Sequence, residues 1–257
     1  MSRIGLGRVH IAGIPIARAG LPQANEFILT DATAGVGRVY TFVNAHSAKL
    51  RRESAPYARV IADQARTVAV ADGASVTHAA KFLGHGDIGR CPGPDFLEVC
   101  SAACAREGVP VFFMGGHPGV AERLAHLLGE RHPGLNVVGT VSPPFGVWPE
   151  DDNRRLVQAV KDSGAKLLWL GVSAPKQEVW AYEHVAELGI PVACVGAAFN
   201  FNSGLTKRAP HNMQKAGIEW MYRLWREPGL MWRRYLIGNP LFVWDVLWYR
   251  RRLAKPR

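Results

Sequence analysis

Three segments of this 257-residue chain set residues capable of chemistry directly after apolar runs. Asp72 follows Val68-Ala69-Val70-Ala71 and precedes Gly73, so a carboxylate stands where a strand ends and the backbone can turn sharply. Such a carboxylate serves either as a general base or as the N-cap of the helix that follows, and spacing alone leaves both readings open. Gly115-Gly116-His117-Pro118-Gly119 follows another apolar run and opens a helical stretch from Val120 to Glu130, with Pro118 near its first turn. Glycines there admit close backbone approach, and the free amides and dipole of a helix start favour phosphate; the same residues also make a tight strand-to-helix turn with no ligand. The segment is neither GxGxxG nor a Walker loop, which removes the usual support for a nicotinamide dinucleotide or for ATP hydrolysis. Ala174-Pro175-Lys176-Gln177-Glu178 starts a further helix, where Gln177 or Glu178 also suits a capping box. The chain has no Asp-x-Asp to hold a metal–diphosphate complex. Cys91, Cys100, Cys104 and Cys194 lack the paired short spacings of a zinc site, so free thiols, no metal site and metal-independent chemistry are expected.

The elements that position these residues follow a regular rhythm. Apolar runs at Val39 to Asn44, Thr67 to Ala71, Pro110 to Met114, Asn136 to Thr140, Lys166 to Gly171 and Pro191 to Gly196 alternate with helix-length stretches after an opening segment from Arg8 to Ala17. Near-continuous hydrophobicity, as in Leu167-Leu168-Trp169-Leu170, belongs to strands buried on both faces by βαβ crossovers. The predicted fold is therefore α/β: a Rossmann-like parallel sheet of about six strands with helices on both faces. In such a sheet ligands bind where strand carboxyl ends meet helix N-termini, which is where the segments above fall.

Charge divides the chain. Residues 204–257 hold twelve lysines and arginines against three acids, +9 of the formal +10, together with five of the eight tryptophans. This predicts an α/β catalytic domain over 1–203 and a basic, Trp-rich helical appendage over 204–257. Arginine beside tryptophan suits an anionic surface over an apolar layer, and a membrane-surface arm is the leading reading beside a packed helix pair with solvated charges and a nucleic-acid arm. The longest apolar run near the end, Leu241 to Tyr249, is nine residues with Asp245 inside it, far short of the ~20 that a spanning helix needs. No secretory signal is evident at the N-terminus, which predicts a cytoplasmic protein.

Taken together, Phe42-Val43-Asn44-Ala45-His46, Ala71-Asp72-Gly73, Arg90, Gly115-Gly116-x-Pro118-Gly119, Pro133-Gly134-Leu135, Pro175-Lys176-Gln177-Glu178, Phe199-x-Phe201, Arg208-Ala209-Pro210 and Glu219-Trp220-x-x-Arg223-Leu224 resemble the WecG/TagA/CpsF glycosyltransferases. The resemblance implies a membrane-associated transferase on the cytosolic face. It moves a sugar, commonly of N-acetylmannosamine type, from a UDP-sugar donor to a polyprenyl-diphosphate-linked sugar acceptor in teichoic acid, enterobacterial antigen or exopolysaccharide synthesis. By the same resemblance Asp72 is the base, Asn44 the active-site asparagine and Arg90 the arginine on the diphosphate side. Gly115, Gly116, Gly119, Gln177, Glu178 and Thr41 fall on the donor side. Arg208, Arg223, Arg226, Arg233 and Arg234 belong to an appendage that closes over the site and meets the lipid diphosphate. Two positions depart from the family pattern: Phe42 stands where members often have threonine, with Thr41 one place earlier, and Phe199-Asn200-Phe201 replaces Phe-Asp-Phe. Loss of that carboxylate strengthens Asp72 as the base. The expected partners are the UDP-sugar, the lipid-linked acceptor and an anionic membrane surface, with no nucleic acid and no cofactor; a homo-oligomer is left open. The rival readings are an oxidoreductase on the same sheet, which lacks its glycine fingerprint, and a non-catalytic adaptor that uses only the basic tail.

Overall fold

The computed structural model describes residues 7–253, with backbone only for Lys215, Leu230, Arg234 and 251–253, so the side chain of Arg234 lies outside the described residues. The chain opens with a hairpin, β1 (Arg8–Ile11) and β2 (Ile14–Ala17), and continues through α1 (Leu21–Ala34), β3 (Val39–Val43), α2 (Ala45–Glu53), α3 (Ala55–Ala62), β4 (Thr67–Ala71), α4 (Ala74–Phe82) and α5 (Gly93–Glu107). It proceeds through β5 (Val111–Gly115), α6 (Val120–Arg131), β6 (Val137–Val141), α7 (Glu150–Asp162), β7 (Leu167–Gly171), α8 (Lys176–Leu188), β8 (Val192–Cys194) and α9 (Ala198–Asn202). The last part is helical: α10 (His211–Lys215), α11 (Glu219–Arg226), α12 (Pro228–Trp232), a π-helical turn (Arg233–Ile237) and α13 (Gly238–Leu253).

All six runs expected as strands form one parallel sheet in the order β4-β3-β8-β7-β5-β6. The opening segment is a separate two-stranded antiparallel sheet. β3 and β5 send the chain outward to opposite edges, and β7 and β8 fill the centre, so the strand order reverses there and a crevice opens above the carboxyl ends. One face of the sheet packs Phe96, Leu97, Phe113, Leu124 and Trp169 against α1, α5 and α6. The other packs Leu168, Leu170, Trp180 and Val185 against α7 and α8. Cys100 and Cys104, four residues apart on α5, are fully buried in the first cluster.

A third cluster joins the hairpin to α3 and α4 and takes in Phe242 and Val246 of α13. The last helix is thus fastened to the body by apolar contacts. Polar contacts add to them: Asp245, almost completely buried, pairs with Arg52 of α2, and the Arg51 guanidinium lies 5.2 Å from the centre of the Tyr249 ring.

Gly171 closes β7 beneath Phe199, and a Cβ at that position would meet the Phe199 ring at 2.3 Å. Phe199 is itself fully buried and has nowhere to move. Gly129, inside α6, has open space around it. Gly171→Ala is therefore expected to destabilise the fold by about 2 kcal/mol or more through overpacking, whereas Gly129→Ala stabilises it by roughly 0.5–1 kcal/mol. Urea unfolding of the two variants checks both signs.

Candidate active site

The turns that follow β3, β4, β5, β6, β7 and β8 all line one cavity of about 970 Å³, the upper end of the size usual for a small-molecule site. Helices α2, α4, α5 and α8 begin around it, so several positive dipole ends lie about one space.

Asn44 is the N-cap of α2. Its Oδ1 accepts from the His46 amide at 3.0 Å, and the Asn44 backbone amide donates to the Ser47 hydroxyl at 3.1 Å. This leaves the side-chain amide nitrogen to reach Asp72 Oδ2 at 3.2 Å. Asp72 does not cap α4, whose N-cap is Gly73. Its Oδ1 instead accepts from the amide of Gly93, the first residue of α5, at 3.0 Å. Each carboxylate oxygen thus accepts one hydrogen bond and keeps a lone pair for a further contact. Burial pushes the Asp72 carboxyl above the usual carboxylate range, against the opposing pull of Asn44, the Gly93 amide and Arg90.

Arg90 is fixed by three acceptors. Its Nε donates to the Asp72 carbonyl at 2.9 Å, Nη1 to the Gln214 carbonyl at 2.8 Å, and Nη2 to Glu219 Oε2 at 3.3 Å. Glu219 also accepts from Arg208 Nε at 3.4 Å, and Arg208 makes a two-pronged ion pair with Asp95. One carboxylate from α11 therefore sits between two cavity-lining guanidiniums. Arg223 lines the same cavity, with its guanidinium 5.6 Å from the centre of the Phe201 ring. Arg226 and Arg233 are exposed and lie outside the cavity lining; the Arg233 guanidinium is 5.1 Å from the Trp232 ring.

On the opposite side of the crevice the glycine turn divides. Gly116 lines the cavity at φ 74°, where a Cβ would strike the Val120 side chain at 2.6 Å. Gly115 sits against the Gly171 backbone and Gly119 is the N-cap of α6, and neither lines the cavity. Pro118 lies just ahead of that cap rather than in the first turn of the helix.

Gln177 and Glu178 close no capping box. Both side chains are buried at the cavity wall. The Gln177 amide donates to Glu178 Oε1 at 2.8 Å and to the Cys194 carbonyl at 3.1 Å, and Thr41, fully buried beneath the cavity, donates to the same Glu178 oxygen at 3.4 Å. The Tyr57 hydroxyl extends this buried network to Ser47, which holds Asn44. Burial raises the Glu178 carboxyl to about 7.

Two of these residues were out of reach of local pattern. Glu219 reads in sequence as a helix-start acid of the tail, and Asp95 as one of α5. Only the fold shows them sharing Arg208. Among the described residues no group of three or more His, Cys, Asp or Glu side chains gathers to hold a metal ion, and no helix is long and apolar enough to cross a membrane.

A family model for the glycosyl transferase WecG/TagA/CpsF family matches residues 9–256, and the chain belongs to that family. It is accordingly a transferase, and the reading as a non-catalytic adaptor gives way.

Glu178 carries a pH signature. Its folded pKa, about 7, lies above the ordinary glutamate value of 4.5. The folded state therefore binds this proton more tightly, and the stability tied to it is full at low pH and is lost as pH rises from ~4.5 through ~7. The loss amounts to roughly 3 kcal/mol at pH 8. Glu178→Gln keeps the volume and the acceptor for Thr41 while removing the titration. The variant should match the parent in stability near pH 4.5 and exceed it progressively up to pH 8, as read by urea midpoints across that range.

Proposed function

We propose that this member of the WecG/TagA/CpsF family is an inverting, metal-independent transferase that moves a sugar, of N-acetylmannosamine type or a related hexose, from a UDP-sugar to a polyprenyl-diphosphate-linked sugar for a cell-surface polysaccharide. The observation that carries the reading is the Asp72 carboxylate, clasped by Asn44 and the Gly93 amide on the floor of a cavity that Arg90, Arg208 and Arg223 also line.

On this reading Asp72 takes the proton from the acceptor hydroxyl as that oxygen attacks the anomeric carbon, and UDP departs from the opposite face. The hydrogen bonds from Asn44 and Gly93 orient the carboxylate, and its raised pKa makes it a stronger base at neutral pH than a solvated aspartate. The leaving diphosphate gathers negative charge, which the cavity-lining Arg90, Arg208 and Arg223 and the positive ends of the helices that start around the cavity offset. Gln177, Glu178 and Thr41 form the wall on the donor side, while Gly115 and Gly119 shape the turn. The exposed Arg226 and Arg233, with Arg234, contact the lipid-borne acceptor and the anionic inner face of the membrane. Residues 204–257 then act as an appendage that both closes the site and meets the membrane. Gln214 and Glu219 gripping Arg90 support that reading.

The test is UDP release from candidate UDP-sugars in the presence of a short lipid-diphosphate acceptor. Asp72→Asn should lower the rate about a hundredfold or more and leave UDP affinity nearly intact. Retention of more than roughly a third of the parent rate removes Asp72 as the base. Because the base works deprotonated, kcat/KM of the parent should rise with pH through a pKa above the ordinary aspartate value, and that limb should vanish in the variant. EDTA should leave the rate unchanged; inhibition reversed by magnesium would overturn the assignment of leaving-group stabilisation to arginines and helix ends.

A further inference from the structure

We infer that the loop 142–149, between β6 and α7, inserts its apolar tip into a lipid bilayer and forms a second membrane-contacting rim of the cavity. The inference extends the proposed reading, in which the acceptor is lipid-borne, and rests on it.

Phe145 is 96% exposed and Val147 92% exposed, more than any other large hydrophobic side chain among the described residues. Their exposure is built in. Trp148, between Val147 and Pro149, is buried and donates its indole N–H to the Pro144 carbonyl at 2.7 Å, which folds the loop back on itself. The Lys176 ammonium donates to the Gly146 carbonyl and lies 3.3 Å from the centre of the Trp148 ring. The Ser142 hydroxyl donates to the His117 carbonyl at 3.1 Å, and Pro143, Pro144 and Pro149 restrict the backbone. A loop pinned at four points holds a phenylalanine and a valine in water. Apolar side chains held exposed by a fixed backbone in this way mark a contact site.

Topology says what meets it. The loop follows β6, at one edge of the sheet, and Phe145 lines the cavity mouth. The helical appendage grips Arg90 beside Asp72, after β4, the opposite edge strand, and lines the same cavity through Trp220, Arg223 and Tyr235. The appendage shows Trp225, Trp232, Arg226 and Arg233 to solvent. Exposed apolar side chains on both rims, joined on the appendage by the exposed cations Arg226 and Arg233, suit an anionic bilayer, acyl chains beneath phosphates. With both rims seated, the cavity mouth faces the membrane, and a lipid-linked acceptor enters without crossing bulk water.

All four native cysteines are buried, so a single cysteine introduced by Phe145→Cys in the full chain takes an environment-sensitive fluorophore selectively. The labelled protein should brighten and shift to the blue with vesicles of phosphatidylglycerol and phosphatidylethanolamine, and not with UDP alone. In parallel, Phe145→Ser with Val147→Ser should weaken co-sedimentation with those vesicles about tenfold at roughly 0.5 M salt, where charge attraction is screened. If the parent sediments with vesicles but the probe stays silent and the serine pair binds as well as the parent, the loop inference falls and the membrane reading stands. If the parent does not sediment at low salt, both fall. A response to UDP without vesicles makes the loop a lid over the donor, and a serine-sensitive change in oligomeric mass without a vesicle response makes it a self-association surface; either overturns the inference.

Discussion

The proposed role of Asp72 as a base depends on neutral donors that hold both of its carboxylate oxygens. Asp72 is clasped by the Asn44 amide and the Gly93 backbone N–H, while the guanidinium nearest to it, Arg90, bonds the Asp72 carbonyl instead. A direct ion pair with Arg90 would pull the carboxyl down and weaken it as a base. Neutral donors orient it at a smaller cost in basicity, and burial dominates. The rest of the structure serves this geometry. β3 and β4 run in parallel register so that Asn44 and Asp72 leave the sheet side by side, and Cys91, bonded through its amide to the Ala71 carbonyl, brings the start of α5 within reach.

Arg90, bonded to the Asp72 carbonyl, also ties the appendage to this site through Gln214 and Glu219. Two guanidiniums in one half-buried cavity repel each other unless an anion stands between them, and Glu219 of α11 supplies that anion. Removing one member of such a network strands a partly desolvated charge, so its members are coupled and not independent. In the proposed reaction, phosphate groups entering the cavity meet arginines already aligned by Asp95, Glu219 and the Gln214 carbonyl, which lowers the ordering cost of binding.

Much of this was legible in sequence, for reasons that also mark where reading stops. The six strands are short, apolar and punctuated by Gly and Pro, signals that survive without tertiary context, and all six are found. The residues of the site follow from strand ends, because an open parallel sheet gathers those ends on one side. What local pattern leaves undecided depends on distant partners. Asp72 as a cap or a base was open because the helix it caps starts at Gly93, beyond the whole of α4. Glu219 gives no hint that its partners are Arg90 and Arg208. Glu178 resembles a helix-start acid until its burial beside Thr41 is seen. Phe145 and Val147 look like ordinary loop residues, and only the pinned loop makes their exposure informative.

On the proposed reading, the appendage reconciles two demands that oppose each other in one segment: phosphate must meet fixed charge out of bulk water, and lipid must meet apolar surface at the boundary. Helix periodicity separates them. Glu219, Trp220 and Arg223 of α11 fall on one face and line the cavity, while Met221 and Trp225, four residues apart, face outward and are exposed. The following turn repeats the division, with Met231 buried and Trp232 and Arg233 outward. An appendage of this kind cannot be a loose tether, because the inward face needs the register that the outward face uses. That register is set at the far end, where Phe242, Asp245 and Val246 of α13 lock into the hairpin and α2. Asn44 starts α2 and Arg52, near its end, holds Asp245, so one helix carries both a residue of the site and the anchor of the segment that covers it.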